Sequence, residues 1–542
     1  MKRISIYLFL MLPLIFMLGC SDDTTEEAPQ TKYDLSYKGL SFYYQNKPSS
    51  SYRLTQLSDN EFNALDTMQK YQVADKLLSS LFFGYPQAEL QEKIAAGDFL
   101  SAVRRGLQSD TTDHEWLESH ILDEEYFRQN ASTQEAVDIL TRFYAMRQLD
   151  RYFLNNWTAY ILTQTIMFSP AYELDSTHTP NISRVYNRLV SFFEDESGMR
   201  YTTYVHMMSE DNWRRFRSPE DNGREMMEIF LEDEDDAKVP LAGKALQNWK
   251  LNRDNDTLVV GRNENTEPLE LFGTTVYNGD DFYREMVKTS GFQETVTDRL
   301  VTFFFPNATA EKKAELSSTI VSSHPETFQD ILLQIVFSKE YLLYNERAKS
   351  AEELFYSLAK KTDFHHRDST FDYFRRALEE MHQASMKYKL GKLERVPLDT
   401  LSFAAYHKYI RENMLLRMSD PSREDEYGSG SRQGWGASFI DEKILGLNPN
   451  DEIRSLDTFV NYLFKVTIAR YPTVEELLLF RAHMLQDNNG VQELSYNFDM
   501  FYTNADAEVQ QQRRERNRSY IAIIVLDYIS RLERFYMQSE VK

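Results

Sequence analysis

The chain has 542 residues, with 61 Lys or Arg against 84 Asp or Glu, for a formal net charge of −23. That balance argues against a nucleic-acid binder, which needs basic patches to meet phosphate, and favours solubility over any particular chemistry. A single cysteine, Cys20, excludes a disulfide framework, while 42% apolar residues, including 35 Phe and 33 Tyr, supply core for one large domain or two to three ordinary ones.

Lys2 and Arg3 precede an apolar run from Ile4 to Leu18, and Gly19 stands directly before Cys20. A charged start, an apolar centre and a small residue are the order of an export signal, and the run is shorter than the ~20 residues a spanning helix needs. The ending Met17-Leu18-Gly19-Cys20 resembles the lipobox of bacterial lipoproteins. That resemblance implies that residues 1–19 are a lipoprotein signal peptide and that Cys20 becomes residue one, carrying palmitate-type acyl chains. It also implies export and a lipid anchor in the bacterial outer membrane. With Cys20 lipidated, no thiol remains for a metal site or a nucleophile. Removing residues 1–19 leaves 59 basic residues against 84 acidic ones, near −25. Residues 20–39 then read as an acidic flexible tether. Ser21 resembles lipoproteins sorted to the outer membrane, and Asp22, Asp23, Glu26 and Glu27 resemble acidic surface-export tags. No later apolar run approaches ~18 residues, so nothing else is expected to cross a bilayer.

From about Asn60 onward the apolar residues recur at helical spacing. Leu77, Leu78, Leu81 and Phe82 share one face, as do Phe143, Met146, Leu149, Tyr152 and Phe153. Ile521, Ile524, Leu526, Tyr528, Ile529 and Leu532 repeat the pattern near the end. Only 19 Gly and 15 Pro punctuate the chain, few for a strand-rich protein. The fold expected is mainly α, with at most one short β-hairpin, Asp256–Gly261 paired with Leu269–Tyr277 around Gly273.

Three stretches look alike: Leu77–Ser109, Leu300–Leu343 and Phe464–Thr503. Each predicts a helix, an aromatic-Pro break at Pro86, Pro306 or Pro472, and two further helices. Thr309 and Thr473 are placed to cap the helix after the break, with Glu475 supporting the dipole. The expected organisation is a multi-helix array over 40–446 and a C-terminal helical segment over 447–542 related to the internal repeat.

Pro219-Glu-Asp-Asn-Gly-Arg-Glu-Met-Met-Glu-Ile-Phe230 resembles the signature of the bacterial family named domain of unknown function 1800. The resemblance puts Glu220, Asp221, Arg224, Glu225 and Glu228 on its polar positions, with Asp221 where the family usually has Asn. Ala242–Trp249, Leu271–Gly273, Gly279–Asp281, Phe337–Tyr341, Ala348–Leu354 and the Gly434-Trp435-Gly436 turn are similar to later family motifs in the same order. Together they cover roughly residues 60–450. The family commonly has a His-Asp pair before its Leu-Gly turn, and here Arg262–Pro268 contains no histidine. The resemblance implies kinship and brings no known activity.

Arg224, Glu225 and Glu228 lie within two turns of one helix. Buried, they would form an Arg–carboxylate network fixing helix contacts; lining a cleft, they would be weak catalytic candidates. Arg214 and Arg217 nearby favour the structural reading. His114 and His120 are spaced i, i+6 and point to different sides of a helix, so surface positions are expected. His365 and His366 beside Asp363 and Asp368 read as a solvated loop, as does the acidic run Glu232–Asp236, which lacks the spacing of a calcium loop. The Gly/Ser run Tyr427–Gly436 reads as a hinge rather than an anion cradle. No metal and no cofactor is expected.

No Walker loop, nucleophile elbow or dinucleotide turn occurs. The function expected is a non-enzymatic helical scaffold that binds an envelope protein partner, anchored to the membrane through Cys20. Two alternatives stay open: an envelope-polymer hydrolase using Glu225 and Glu228, and a carbohydrate-binding surface protein using Trp213, Trp249 and Trp435.

Overall fold

In the computed structural model the described residues are 52–82, 84–109, 148–167, 182–215, 218–252, 257–362, 364–365, 400–409, 434–435, 452–485 and 521–541. Residues 1–39, with Cys20 and the tether, lie outside them. The first helices are α1 (Asp59–Ala64), α2 (Thr67–Phe82), α3 (Gln87–Ala95), α4 (Phe99–Gln108), α5 (Arg151–Gln164) and α6 (Ile182–Glu194). Next come α7 (Met199–Met207), α8 (Glu210–Arg215), α9 (Pro219–Leu231) and α10 (Val239–Ala245). Short strands follow: β1 (Trp249–Asn252), β2 (Thr257–Val260), β3 (Leu269–Leu271) and β4 (Thr274–Val276). Helices resume with α11 (Gly279–Lys288), α12 (Ser290–Phe304), α13 (Ala310–Val321), α14 (Phe328–Val336) and a π-helical turn at Glu340–Tyr344. β5 (Arg347–Ala348), α15 (Ala351–Lys361), β6 (Phe364–His365), α16 (Thr400–Tyr409) and β7 (Gly434–Trp435) continue the order. The described chain closes with α17 (Glu452–Ile468), α18 (Val474–Leu485), a helix over 521–529, α19 (Glu533–Tyr536) and β8 (Met537–Gln538).

The protein is mainly helical, and among the described residues the strands form only short two-stranded antiparallel sheets. The hairpin expected between 256–261 and 269–277 is not what forms. β2 pairs backward with β1, Trp249 opposite Val260, and β3 pairs forward with β4, Leu269 opposite Val276. The β3–β4 connection is the two-residue turn Phe272-Gly273, with φ of 59° and 73°. Positive φ at both positions matches the strand twist and closes a tight hairpin, so β3 pairs with β4 rather than with β2. Two further pairs join distant residues, β5 with β8 and β6 with β7.

Two helices are buried nearly all round, α5 and α14, which pack on each other at the centre. Buried polar side chains such as Asn156 and Thr158 find partners on their own helix. Trp157 of α5 donates its indole N–H to the Ser80 carbonyl at 3.2 Å and tilts against Phe304. Thr327 and Asp330 form a reciprocal capping box that starts α14, and Ser350 with Glu353 does the same for α15.

Helix–Pro–helix corners occur at Pro86, Pro306 and Pro472, with the flanking helices packed together at each. Thr309 accepts from the Lys312 amide and Thr473 from the Glu476 amide. Glu475 lies in the first turn of α18 as expected, and Glu476 completes a capping box by accepting from the Thr473 amide. Pro86 occupies the corresponding cap position without a side-chain hydrogen bond. Residues 486–503 of the third stretch lie outside the described set.

Residues 39–542 form one compact unit, into which the C-terminal residues are threaded. Gln538 donates to the buried Ser80 hydroxyl at 3.3 Å, and the Val541 amide donates to the Leu343 carbonyl at 3.0 Å. Among the described residues no helix is long and apolar enough to cross a membrane.

Candidate functional site

Ser218 caps α9 by accepting from the Asp221 amide, and Pro219 occupies its first turn. From there Arg224 reaches three carboxylates: Asp221 at 3.1 Å, Glu225 at 3.0 Å and Glu228 at 3.2 Å. The network is not the buried one the sequence suggested. The Arg224 side chain is 41% exposed and that of Glu228 32%. The hydrogen bond that Arg224 donates to Asp221 raises the Arg224 pKa above its usual value. Helical spacing predicts which of these groups meet, but it carries no information about which face turns inward, and here the polar face turns to water.

The inner face of the same helix explains the rest of the motif. A Cβ on Gly223 would sit 2.6 Å from the Ala242 Cβ, and one on Gly243 would sit 2.3 Å from the Glu220 Cγ. Glycine at both positions therefore lets α9 and α10 cross at backbone distance. Asn222, fully buried, accepts from the Tyr283 hydroxyl at 2.6 Å. Tyr283 meets Trp249 edge-on at 5.6 Å, and Trp249 stacks on Trp213 at 6.0 Å and 15°. Gly279 lies so close to this indole that a Cβ would fall 2.1 Å from the Trp249 Nε1. Motif segments far apart in sequence thus meet in one packed cluster, and Gly273 forms its nearby turn. Trp213 and Trp249 are each 3% exposed, so neither offers a ring face to a sugar. Trp435 is described only as backbone, paired with Phe364 in the β6–β7 sheet.

The acidic run also satisfies itself. Asp233 pairs with Lys238 at 2.5 Å and accepts from the Asp235 amide, and Asp235 accepts from the Ala237 amide. Among the described residues no group of three or more His, Cys, Asp or Glu is placed to hold a metal. His114, His120, Asp363, His366, Asp368 and residues 427–433 lie outside the described set, and His365 is described only as backbone in β6.

Sequence reasoning missed a cleft of about 40 Å³ between α2, α17 and the C-terminal residues. Its polar walls include Asp75, Lys76, Ser79, Lys349, Arg534 and Glu540. Behind it, Arg347 and Glu353 form a two-point ion pair at 2.5 and 2.8 Å, and Lys361 pairs with Asp75 at 2.7 Å. Burial opposes the Arg347 charge, but Glu353 and Tyr341 outweigh it and raise its pKa. With both carboxylates taken, Lys76 and Lys349 hydrogen-bond to carbonyls and lie over the Tyr341 and Phe535 rings at 5.6 and 5.9 Å. Lys76 donates to the Asn345 carbonyl at 2.5 Å and the Ser539 carbonyl at 3.3 Å, and Lys349 to the Phe535 carbonyl at 3.0 Å. The Lys76 ammonium is pushed down to about 7, first by burial and then by the Arg347 charge, with Glu540 and Glu346 opposing. Lys349 is also pushed down to about 7, by burial and then by Lys361, with Asp75 and Glu353 opposing and Arg347 adding. One signal was available in the sequence: Lys76 is i+3 from Val73 and i−4 from Ser80, on a face of α2 that is buried. Lys349 carried none, because its surroundings come from the C-terminal residues, among them the Phe535 carbonyl.

Comparison with protein-family models, with curated proteins and with solved structures gives no match to this chain, so its geometry is read on its own terms.

Proposed function

We propose that the protein is an exported lipoprotein, anchored to the bacterial outer membrane through Cys20, whose helical body binds a protein partner in a cell-envelope assembly. Lys2, Arg3, the apolar run to Leu18 and the Gly19-Cys20 ending support the anchor. A single acyl chain holds membrane weakly, so stable anchoring calls for the several chains of a mature lipoprotein. The order of motifs from Pro219 to Trp435 supports distant kinship with the family named domain of unknown function 1800.

The observation that carries partner binding is the outer face of α18. Its inner face packs normally, with Phe480 edge-on to Phe464 at 6.1 Å. On the other side Val474 is 68% exposed, Leu478 53% and Leu479 52%, with Tyr471 51% exposed just before the helix. A helix apolar on both faces, one of them open to water, suits burial against an apolar protein surface. Catalysis at Glu225 and Glu228 is disfavoured by their pairing with Arg224 on an open surface, and sugar binding by the burial of Trp213 and Trp249.

The test is a Leu478→Asp, Leu479→Asp double variant expressed in its own envelope and analysed by native electrophoresis after mild solubilisation. Wild type should migrate in a larger complex and the variant alone, with unchanged circular dichroism. Wild type migrating alone, or a variant that stays in the complex, would contradict the proposal.

A further inference from the structure

The lysine cleft gathers cations in a protein whose net charge is −23. Lys76, Arg347, Lys349 and Lys361 crowd against Asp75 and Glu353, and each carboxylate already serves one cation. Lys76 is 5% exposed, and among the described residues neither it nor Lys349 forms an ion pair. Burying an ammonium without a counter-charge costs several kcal/mol, so the fold tolerates a cost here that helix packing alone does not require.

A second observation points into the same cleft. The Ser79 hydroxyl lines it, is 4% exposed, and has no hydrogen-bond partner among the described residues. Other buried hydroxyls of the described residues lack partners too, among them those of Thr202, Thr203 and Thr297, but that of Ser79 lines a cleft. Arg534 adds cationic character at the wall, its own pKa lowered by burial and then by Arg470. At about 40 Å³ the space suits a few water-sized atoms, which excludes a sugar or nucleotide and admits a small oxyanion group.

We propose that the cleft binds a small oxyanion, a phosphate or carboxylate group, held by Lys76 and Lys349 with the Ser79 hydroxyl donating to it. The anion supplies the counter-charge that Asp75 and Glu353 cannot. Because it favours the charged lysines, its binding takes up protons near neutral pH, against the wall carboxylates Asp75 and Glu540, with Arg534 also in the wall and Arg347, Lys361, Glu353 and Glu346 acting from around it. This inference stands apart from the partner-binding face on α18.

The experiment uses full-length protein purified in detergent, titrated calorimetrically with inorganic phosphate, with acetate, and with chloride as a control for screening. Phosphate or acetate should bind with proton uptake, and affinity should fall at least about tenfold between pH 6 and pH 8 as the lysines lose their charge. Lys76→Met should fold and lose binding at least about tenfold, and Ser79→Ala should weaken it about fivefold or more. Binding by phosphate but not acetate, or the reverse, identifies the group. Oxyanions behaving like chloride, or Lys76→Met and Ser79→Ala both binding as wild type does, would overturn the proposal.

Discussion

Arg347 and Glu353 face each other across a two-point ion pair in which their side chains are 1% and 6% exposed. Glu353 also accepts from the Ser350 amide at 2.7 Å, so one carboxylate both caps α15 and neutralises the arginine that β5 carries inward. Removing it strands a buried guanidinium. Glu353→Ala should cost about 3–5 kcal/mol, a large part of a typical domain stability. Urea denaturation measures it, and a loss under about 1 kcal/mol would show that the pair is not buried as described.

The Arg224 network should behave in the opposite way. With Arg224 41% and Glu228 32% exposed, solvent screens the attraction and competes for each partner. Arg224→Ala should cost about 0–1 kcal/mol and leave the thermal transition nearly in place. A drop of many degrees would place the network inside the fold after all.

The inner face of the signature helix is the sensitive part of that region. Gly279→Ala drives a methyl group into the Trp249 indole, 2.1 Å from Nε1, and the stack onto Trp213 must shift to admit it. Overpacking of this kind should cost about 1–3 kcal/mol. Gly291→Ala is the matched control: its Cβ meets nothing nearer than 4.0 Å, and it should be neutral or stabilise by up to about 1 kcal/mol. Equal melting temperatures for the two variants would contradict the packing described.

Helix content was legible from the sequence because one helix face writes its period into the chain. Leu77, Leu78 and Leu81 are buried on α2, and Tyr152 and Phe153 on α5, where that spacing puts them. Hairpin pairing was harder to read, because β2 has apolar strands on either side and only the two-residue turn at Phe272-Gly273 decides for β4. Glu225 and Glu228 stood out because their chemistry is conspicuous. Lys76 and Lys349 did not, because what makes a lysine unusual is the burial that distant chain segments impose on it.

Those two lysines give a pH dependence with a defined sign. Each titrates near 10.5 in the unfolded chain and near 7 in the fold. Below pH about 7 both states are protonated and the fold bears the whole cost of burying the charges. Between about 7 and 10.5 the fold has released protons that the unfolded chain still holds, so stability contributed by the pair rises with pH across that window. Wild type compared with Lys76→Met, Lys349→Met should therefore gain relative stability from pH 6.5 to pH 9. A constant difference between the two would contradict the shifted titrations.

The lipid anchor at Cys20 is the claim from which location and partner follow, and membrane partition tests it directly. Wild type and Cys20→Ser are expressed in a Gram-negative host and the membranes separated by density. Wild type should sediment with the outer membrane and be released only by detergent, whereas Cys20→Ser should lose that association. Identical partition of the two proteins would contradict the account.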